Sequence, residues 1–397
     1  MQINITCGIG STGRIALMLY DECMRQGYDS CFAYSAYKPT LVNAFSIETK
    51  FQNYIRRTLN KFMGRKQVHS NLGTNRLIKF IENEKPDLIH LHNIQQNSLN
   101  YIHLFSYLKE KEIPIVFTLH DCWSFTGGCY HFTERKCFQY ETGCKNCSIQ
   151  YETDDIDLKM QKSYEAKKRL IGENKNIHII CVSNWLKNEA LKSYMKLMTK
   201  VSTIYNGIDT DVFCPQVVTS IRKRLGIDEN VFVILGVASV WDDRKGLNLF
   251  TEIIKKLNFM HKVILVGLNK EQLNNLDPQI IGLPRTDNLQ QLVELYSCAD
   301  VYINASKEET FGLTTAEAMA CGTPVIVYNS TACSEIVNER TGCIIHGEGV
   351  GSVIKAINTI KTYGKLYYTA NCTKQVKEKF SKEIMLKNYI HLYRSLL

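Results

Sequence analysis

No apolar run in the 397-residue chain is long enough to cross a bilayer, so no membrane-spanning helix is expected. Met1 leads directly into a strand-like Gln2-Ile-Asn-Ile-Thr6, with neither a basic stretch nor a cleavage-site pattern, and no secretory signal is expected. Zinc-finger, RNA-recognition and basic-zipper signatures are missing too, which removes the case for a nucleic acid partner. What is present is a globular composition: 45% apolar, 22% charged, mean hydropathy −0.18. The length exceeds what one core usually organises, so two domains are expected. A net charge of +9 and a pI near 8.7 favour an anionic partner, either a small molecule or a membrane surface. The 15 cysteines are odd in number and scattered through apparent core strands; without an export signal they read as reduced thiols of a cytoplasmic protein.

Short apolar runs bounded by turn signals recur along the chain. In the first half they are Ile3 to Thr6, Cys31 to Tyr34, Asp87 to His92, Ile115 to Leu119 and Ile177 to Val182. Val231 to Val237, Lys262 to Val266, Ile280 to Leu283, Val301 to Asn304 and Val325 to Tyr328 follow in the second, with helical patterns between. That alternation predicts two doubly wound parallel sheets. Gly207, Asp209 and Pro215 mark the turn-rich connection between them. The expected domains are 1–205 and 206–380, and the chain closes with a helix over 381–397.

The first strand is followed by Gly8-Ile-Gly10-Ser-Thr-Gly13-Arg14 and a helical run ending near Gly27, a pattern shared with dinucleotide-binding loops. Dinucleotide redox chemistry also needs a carboxylate after the second strand, and Ser35-Ala36-Tyr37-Lys38 supplies none. Close backbone approach to a ligand is the better reading of the glycines, and a plain tight turn is the other. Two further strands end in His92-Asn93 and His120-Asp121, at the edge where open α/β sheets bind ligands. His90, earlier on its strand, reads more simply as a hydrogen-bonded core residue.

Residues 51–67 put Phe51, Tyr54, Ile55, Leu59, Phe62 and Met63 on one helical stripe among five basic residues. The stripe fits a helix packed on its own sheet, and it also fits an amphipathic helix touching an anionic membrane, peripheral on its inner face. Cys129, Cys137, Cys144 and Cys147 are separated by seven, six and two residues, and the last pair forms a zinc-knuckle spacing. Only one such knuckle is present, so a structural zinc and free buried thiols both stay open, with His131 as a substitute ligand.

The richest stretch runs from Ala299 to Tyr328. It predicts a buried strand, a loop, a short helix ended by Gly322 and Pro324, and a second strand. Glu309 and Glu317 bracket the loop and the first helical turns. Between them Phe311, Gly312 and Leu313 stand at a helix N-terminus, where backbone N–H groups suit a phosphate.

Glu309-x7-Glu317, followed by Cys-Gly-Thr-Pro-Val, resembles the donor-sugar motif of the family 4 retaining glycosyltransferases. Gly10-Ser-Thr-Gly-Arg14, Leu91-His-Asn93, Thr118-Leu-His-Asp-Cys-Trp123, Asn206-Gly-Ile-Asp209 and Arg244-Lys-Gly246 extend the resemblance over nearly the whole chain. Within the family the look is of bacterial enzymes that build capsule, colanic-acid-like or O-antigen polysaccharides. The resemblance implies the GT-B architecture, two Rossmann-like domains facing across a cleft, with the last helix, 381–397, returning to the N-terminal domain. It also implies transfer of a hexosyl unit from a nucleotide diphosphate sugar to a growing polysaccharide or lipid-linked oligosaccharide, with retention.

By the same resemblance Lys245 and Arg244 neutralise the donor diphosphate, Glu317 accepts from ribose hydroxyls and Glu309 holds hydroxyls of the donor sugar. His120 contacts that sugar or its phosphate, and Gly10 and Gly13 lend backbone N–H groups. Many relatives carry an arginine five residues before the phosphate lysine; Val240 stands there in this chain. No residue stands out as a covalent nucleophile, and no catalytic cofactor is implied. The competing readings are a binding-only or regulatory relative, and an epimerase or phosphorylase on the same pair of domains.

Overall fold

A computed structural model describes the chain apart from residues 37–40, 50, 56–57, 59–69, 96–97, 148–155, 259 and 348. The chain divides into two compact units, Met1–Tyr205 with Leu386–Leu397, and Asn206–Met385.

The first unit is built on a sheet of β1 (Gln2–Ile3), β2 (Phe32–Tyr34), β3 (Ala44–Ser46), β4 (Ile89–Leu91), β5 (Ile115–Leu119), β6 (Ile177–Cys181) and β7 (Val201–Thr203). Their order is β3-β2-β1-β4-β5-β6-β7, and every pairing is parallel. Strands buried on both faces need apolar side chains on both faces, which is why Ile-Val-Phe-Thr-Leu in β5 reads as one run instead of alternating. Each such Ile, Val or Leu contributes about 1.5–3 kcal/mol by leaving water. Order reverses between β1 and β4, leaving a crevice beyond their carboxyl ends.

The second unit repeats the plan with β8 (Phe232–Val237), β9 (His261–Val266), β10 (Ile280–Leu283), β11 (Val301–Asn304), β12 (Val325–Tyr328) and β13 (Gly342–Ile345), in the order β10-β9-β8-β11-β12-β13. All of these pairings are parallel as well, and the reversal falls between β8 and β11. Each sheet has the strand order of a Rossmann-like domain.

Sequence and structure part at the margins. β3, β7 and β13 were not expected, and each is an edge strand of its sheet. An edge strand is covered less and can be short and mixed in character, as Ala-Phe-Ser and Val-Ser-Thr are. The first helix begins at Gly10, inside the glycine-rich run instead of after it. The last helix, Lys382–Leu396, starts in the second unit and ends in the first, where Tyr389 and Tyr393 are buried. Of the 51–67 stripe, residues 51–55 are helical with Phe51, Tyr54 and Ile55 exposed, while Leu59, Phe62 and Met63 lie outside the described residues. Among the described residues no helix is long and apolar enough to cross a membrane.

Candidate active site

In the second unit the chemistry gathers beyond the ends of β8 and β11, the adjacent strands at the reversal. After β8 the chain makes a tight turn, Asp243–Lys245, capped by Asp242, whose carboxylate accepts the Lys245 N–H at 2.9 Å. Gly246 then takes φ 73°, and a Cβ there would lie 2.7 Å from the carbonyl oxygen of Ala305, so only glycine lets this turn lie against the end of β11. Lys307 N–H donates to the Arg244 carbonyl at 2.9 Å, tying the two loops together.

These ties set Lys245 beside Glu309, and its Nζ donates to Glu309 Oε1. Burial pushes the Glu309 carboxyl up, but Lys245, a Ser306 hydrogen bond and Arg244 outweigh it and hold the group below the ordinary range. Glu309 is therefore a carboxylate, fixed further by its own N–H donating to Thr331 Oγ1 at 3.0 Å. Arg244 reaches the Glu308 carbonyl at 3.3 Å and lies 3.7 Å from Asp242 Oδ2. Val240, in place of the arginine common among relatives, is 65% exposed.

The helix Leu313–Ala320 opens at Gly312, which has φ 96° and offers no side-chain cap. Its first turn points a partial positive charge into the loop that carries Glu309. Phe311, one residue earlier, is buried edge-on to Phe380. Glu317 lies a turn further on, almost wholly buried, and accepts from the Tyr296 hydroxyl at 3.0 Å. Tyr296 was not foreseen; a tyrosine in an apolar helix carries no sequence signal for that contact.

In the first unit Gly8 has φ 71° and Gly10 φ 72°, and the Gly8 N–H donates to the Gly13 carbonyl at 3.0 Å. A Cβ on Gly13 would fall 2.7 Å from Thr6 Oγ1. Gly10 and Gly13 thus form the first turn of the opening helix, packed on the crevice between β1 and β4. His120 follows β5, half-buried, with Nε2 3.1 Å from His92 Nδ1. Burial pushes His120 down to about 3, so the ring is neutral.

A family model described as "Glycosyltransferase Family 4" matches residues 12–212, and one described as "Glycosyl transferases group 1" matches 230–362. The chain belongs to glycosyltransferase family 4. An uncharacterized glycosyltransferase of Methanocaldococcus jannaschii is 28% identical over 236 residues, 54% of this chain and 59% of the relative, so the match spans about three fifths of that protein. The sucrose-phosphate synthase of Thermosynechococcus elongatus shares the fold with a TM-score of 0.73 at 17% identity, covering 100% of this chain and 98% of that one. Anabaena HepE, in complex with UDP and glucose, does so with a TM-score of 0.68 at 16% identity over 99% and 98% of the two chains. The fold they share is GT-B.

This family 4 chain also carries buried charged groups to which the sequence motifs assign no role. Asp121 accepts from Trp123 N–H at 2.9 Å and from Gln95 Nε2 at 2.6 Å. Burial nevertheless pushes its carboxyl up to about 6, with the Trp123 N–H, His131, Lys167 and Gln95 pulling the other way. Lys167 is fully buried, donates to the Trp123 and Thr126 carbonyls at 2.6 and 2.8 Å, and lies 4.0 Å over the Trp123 ring. It pins the loop that begins at His120. Nothing in the polar 151–175 segment separates this lysine from its solvated neighbours.

Among the described residues Cys129, Cys137 and Cys144 are in no disulfide. Burial pushes Cys129 up to about 11 and Cys144 up to about 12, and Cys144 Sγ accepts the Gly127 N–H at 3.0 Å. Among the described residues no group of three or more His, Cys, Asp or Glu side chains is placed to hold a metal ion.

Proposed function

We propose that this chain is a retaining hexosyltransferase that takes a hexosyl unit from a nucleotide diphosphate sugar to a saccharide or lipid-linked saccharide acceptor. One observation carries the reading: the Lys245–Glu309 pair stands beside an uncapped helix start, at the carboxyl ends of two adjacent strands where sheet order reverses. Lys245, Arg244 and the Gly312–Leu313 turn receive the diphosphate and stabilise the charge that grows on it as the glycosidic bond breaks. Glu309, held ionised, orients donor hydroxyls next to an oxocarbenium-like centre. The departing phosphate takes the acceptor's proton on the face it leaves, which accounts for retention without a protein nucleophile. Glu317 binds ribose hydroxyls. The UDP and glucose held by HepE support this donor class through the shared fold.

The test is transfer from a panel of nucleotide diphosphate hexoses to lipid-linked saccharides, with the anomeric configuration of the product read by proton NMR. Retained configuration, lost in Lys245→Ala, is expected. An inverted product, or unaltered transfer by Lys245→Ala and Glu309→Ala, overturns the proposal; donor binding without transfer marks a binding-only relative. The exposed Phe51, Tyr54 and Ile55 support an acceptor presented at a membrane surface, which flotation with anionic vesicles checks.

A further inference from the structure

In the second unit the helices Val350–Tyr363 and Lys365–Lys379 meet at Gly364, and their corner turns apolar side chains outward. Leu366 is 88% exposed, Tyr363 60% and Tyr367 53%. The rings are held in place. Tyr363 and Tyr367 stack with centroids 5.0 Å apart, and both meet buried Tyr368 edge-on, at 6.4 and 5.0 Å. The second helix buries Tyr368, Cys372 and Val376 at four-residue intervals. That leaves Leu366, Ala370, Lys374 and Lys377 on the opposite, exposed face, with Tyr367 at its border. The face grades from apolar at the corner to basic along the helix.

The charge around it has one sign. Residues 349–377 include five lysines and no aspartate or glutamate. Two of the five are engaged: Lys365 donates to the Ser297 and Ala299 carbonyls, and Lys361 to His261 Nε2 at 3.1 Å. Lys355, Lys374 and Lys377 are exposed. Glu378, 3.9 Å from Lys374, lies at the far end of the face. Glu339 and Arg340, on the loop that Asn338 ties to Gln375, offset each other.

A nucleic acid would reward the lysines but not Leu366, and a second copy meeting through the same face would set like charges together. An anionic bilayer rewards every part. An exposed leucine gains by leaving water, tyrosine rings settle at the headgroup level with their hydroxyls wet, and lysines meet lipid phosphates. We propose that this corner is a docking surface for an anionic lipid bilayer, with Tyr363, Leu366 and Tyr367 entering the headgroup layer and Lys374 and Lys377 against the phosphates. It is separate from the exposed Phe51, Tyr54 and Ile55 of the first unit, and it does not depend on the transferase reading.

The experiment is flotation of the full chain with vesicles of phosphatidylglycerol and phosphatidylcholine, and of phosphatidylcholine alone, with hydrogen exchange followed by mass spectrometry on the same samples. The expected result is binding to the phosphatidylglycerol vesicles only, lost at about 1 M salt where the screening length falls to about 3 Å, and slowed exchange over 363–370. Leu366→Glu with Tyr367→Ser, and Lys374→Gln with Lys377→Gln, should each weaken vesicle binding at least about tenfold with the unfolding midpoint unchanged. Phe51→Ser with Tyr54→Ser and Ile55→Ser should keep the slowed exchange over 363–370. Unslowed exchange over 363–370 in the unaltered chain overturns the proposal without any variant. Equal binding to phosphatidylcholine alone, or flotation that both pairs of substitutions leave intact, overturns it as well. A dimer in sedimentation without lipid that Leu366→Glu dissolves assigns the face to a second copy instead. Sugar transfer between a soluble donor and acceptor should be unaltered in both pairs, so a failed flotation leaves the functional reading untouched.

Discussion

Lys245 Nζ donates to Glu309 Oε1, so the cation proposed to receive the diphosphate already belongs to an ion pair within its own unit. On the proposed function a bound phosphate shares that ammonium with the carboxylate, and Lys245 keeps Glu309 ionised.

Removing either partner is therefore expected to cost more than a contact. Lys245→Ala and Glu309→Ala should each cut transfer by at least about 100-fold and destabilise the chain by about 1–3 kcal/mol. Glu309 is depressed below its unfolded value, so the stability it contributes is present above the ordinary carboxylate range. It is lost as pH falls through the folded value. Denaturant unfolding across acid pH should show that loss in the unaltered chain and a weaker one in Lys245→Ala; parallel pH profiles would mean the pair does not form.

Glu317 and Tyr296 form a second buried pair with a different expected signature. Glu317→Ala should raise donor KM about tenfold or more with a smaller fall in kcat, as loss of a hydrogen-bonded hydroxyl partner does. Tyr296→Phe should leave donor KM within about threefold while lowering stability by about 1 kcal/mol. Steady-state kinetics beside thermal unfolding separates them; a Glu317 effect confined to the acceptor would assign the residue elsewhere.

Asp121 provides a pH test in the first unit. Its carboxyl is raised by burial to about 6 from an ordinary 3.8, so the folded state favours the protonated form. The stability this contributes is complete below the ordinary value and is lost as pH rises through about 6. Asp121→Asn should gain on the unaltered chain as pH rises from acid to neutral, by up to about 3 kcal/mol for a two-unit shift. A stability gap that does not change with pH would contradict it.

Gly246 is the steric hinge of the turn that carries Lys245. Gly246→Ala puts a Cβ against the Ala305 carbonyl at a φ that disfavours side chains, and a loss of at least about 1–2 kcal/mol is expected. Because the turn carries Lys245, donor affinity should fall with stability. Crystallography or donor titration of the variant would show a displaced Lys245, and an undisturbed Lys245 would refute the hinge.

The interior of both sheets was legible because buried parallel strands write themselves as apolar runs. Ile115–Leu119, Val301–Asn304 and Val325–Tyr328 have the bounds that their residues announce. β3, β7 and β13 escaped since an edge strand needs apolar cover only in part. The helix start at Gly10 escaped because glycines read as loop, whereas here they let the first turn pack on Thr6. In the site, Glu309 and Glu317 stood out through their spacing within one stretch, and Lys245 through the separate Arg244-Lys-Gly246 motif. Gln2, His92 and Tyr393 meet across 391 residues of sequence separation, and no local pattern can announce a network assembled only by folding.

The most direct measurement is a thermal-shift titration of the purified chain with UDP, GDP and ADP, repeated on Lys245→Ala. A ligand at a hundredfold excess over its Kd stabilises the folded state by about 2.7 kcal/mol. One of the three diphosphates should raise the midpoint of the unaltered chain in a saturable way, and Lys245→Ala should need at least about tenfold more of it. No shift with any of them, or an identical titration of Lys245→Ala, would contradict a nucleotide diphosphate site at Lys245 and Glu309.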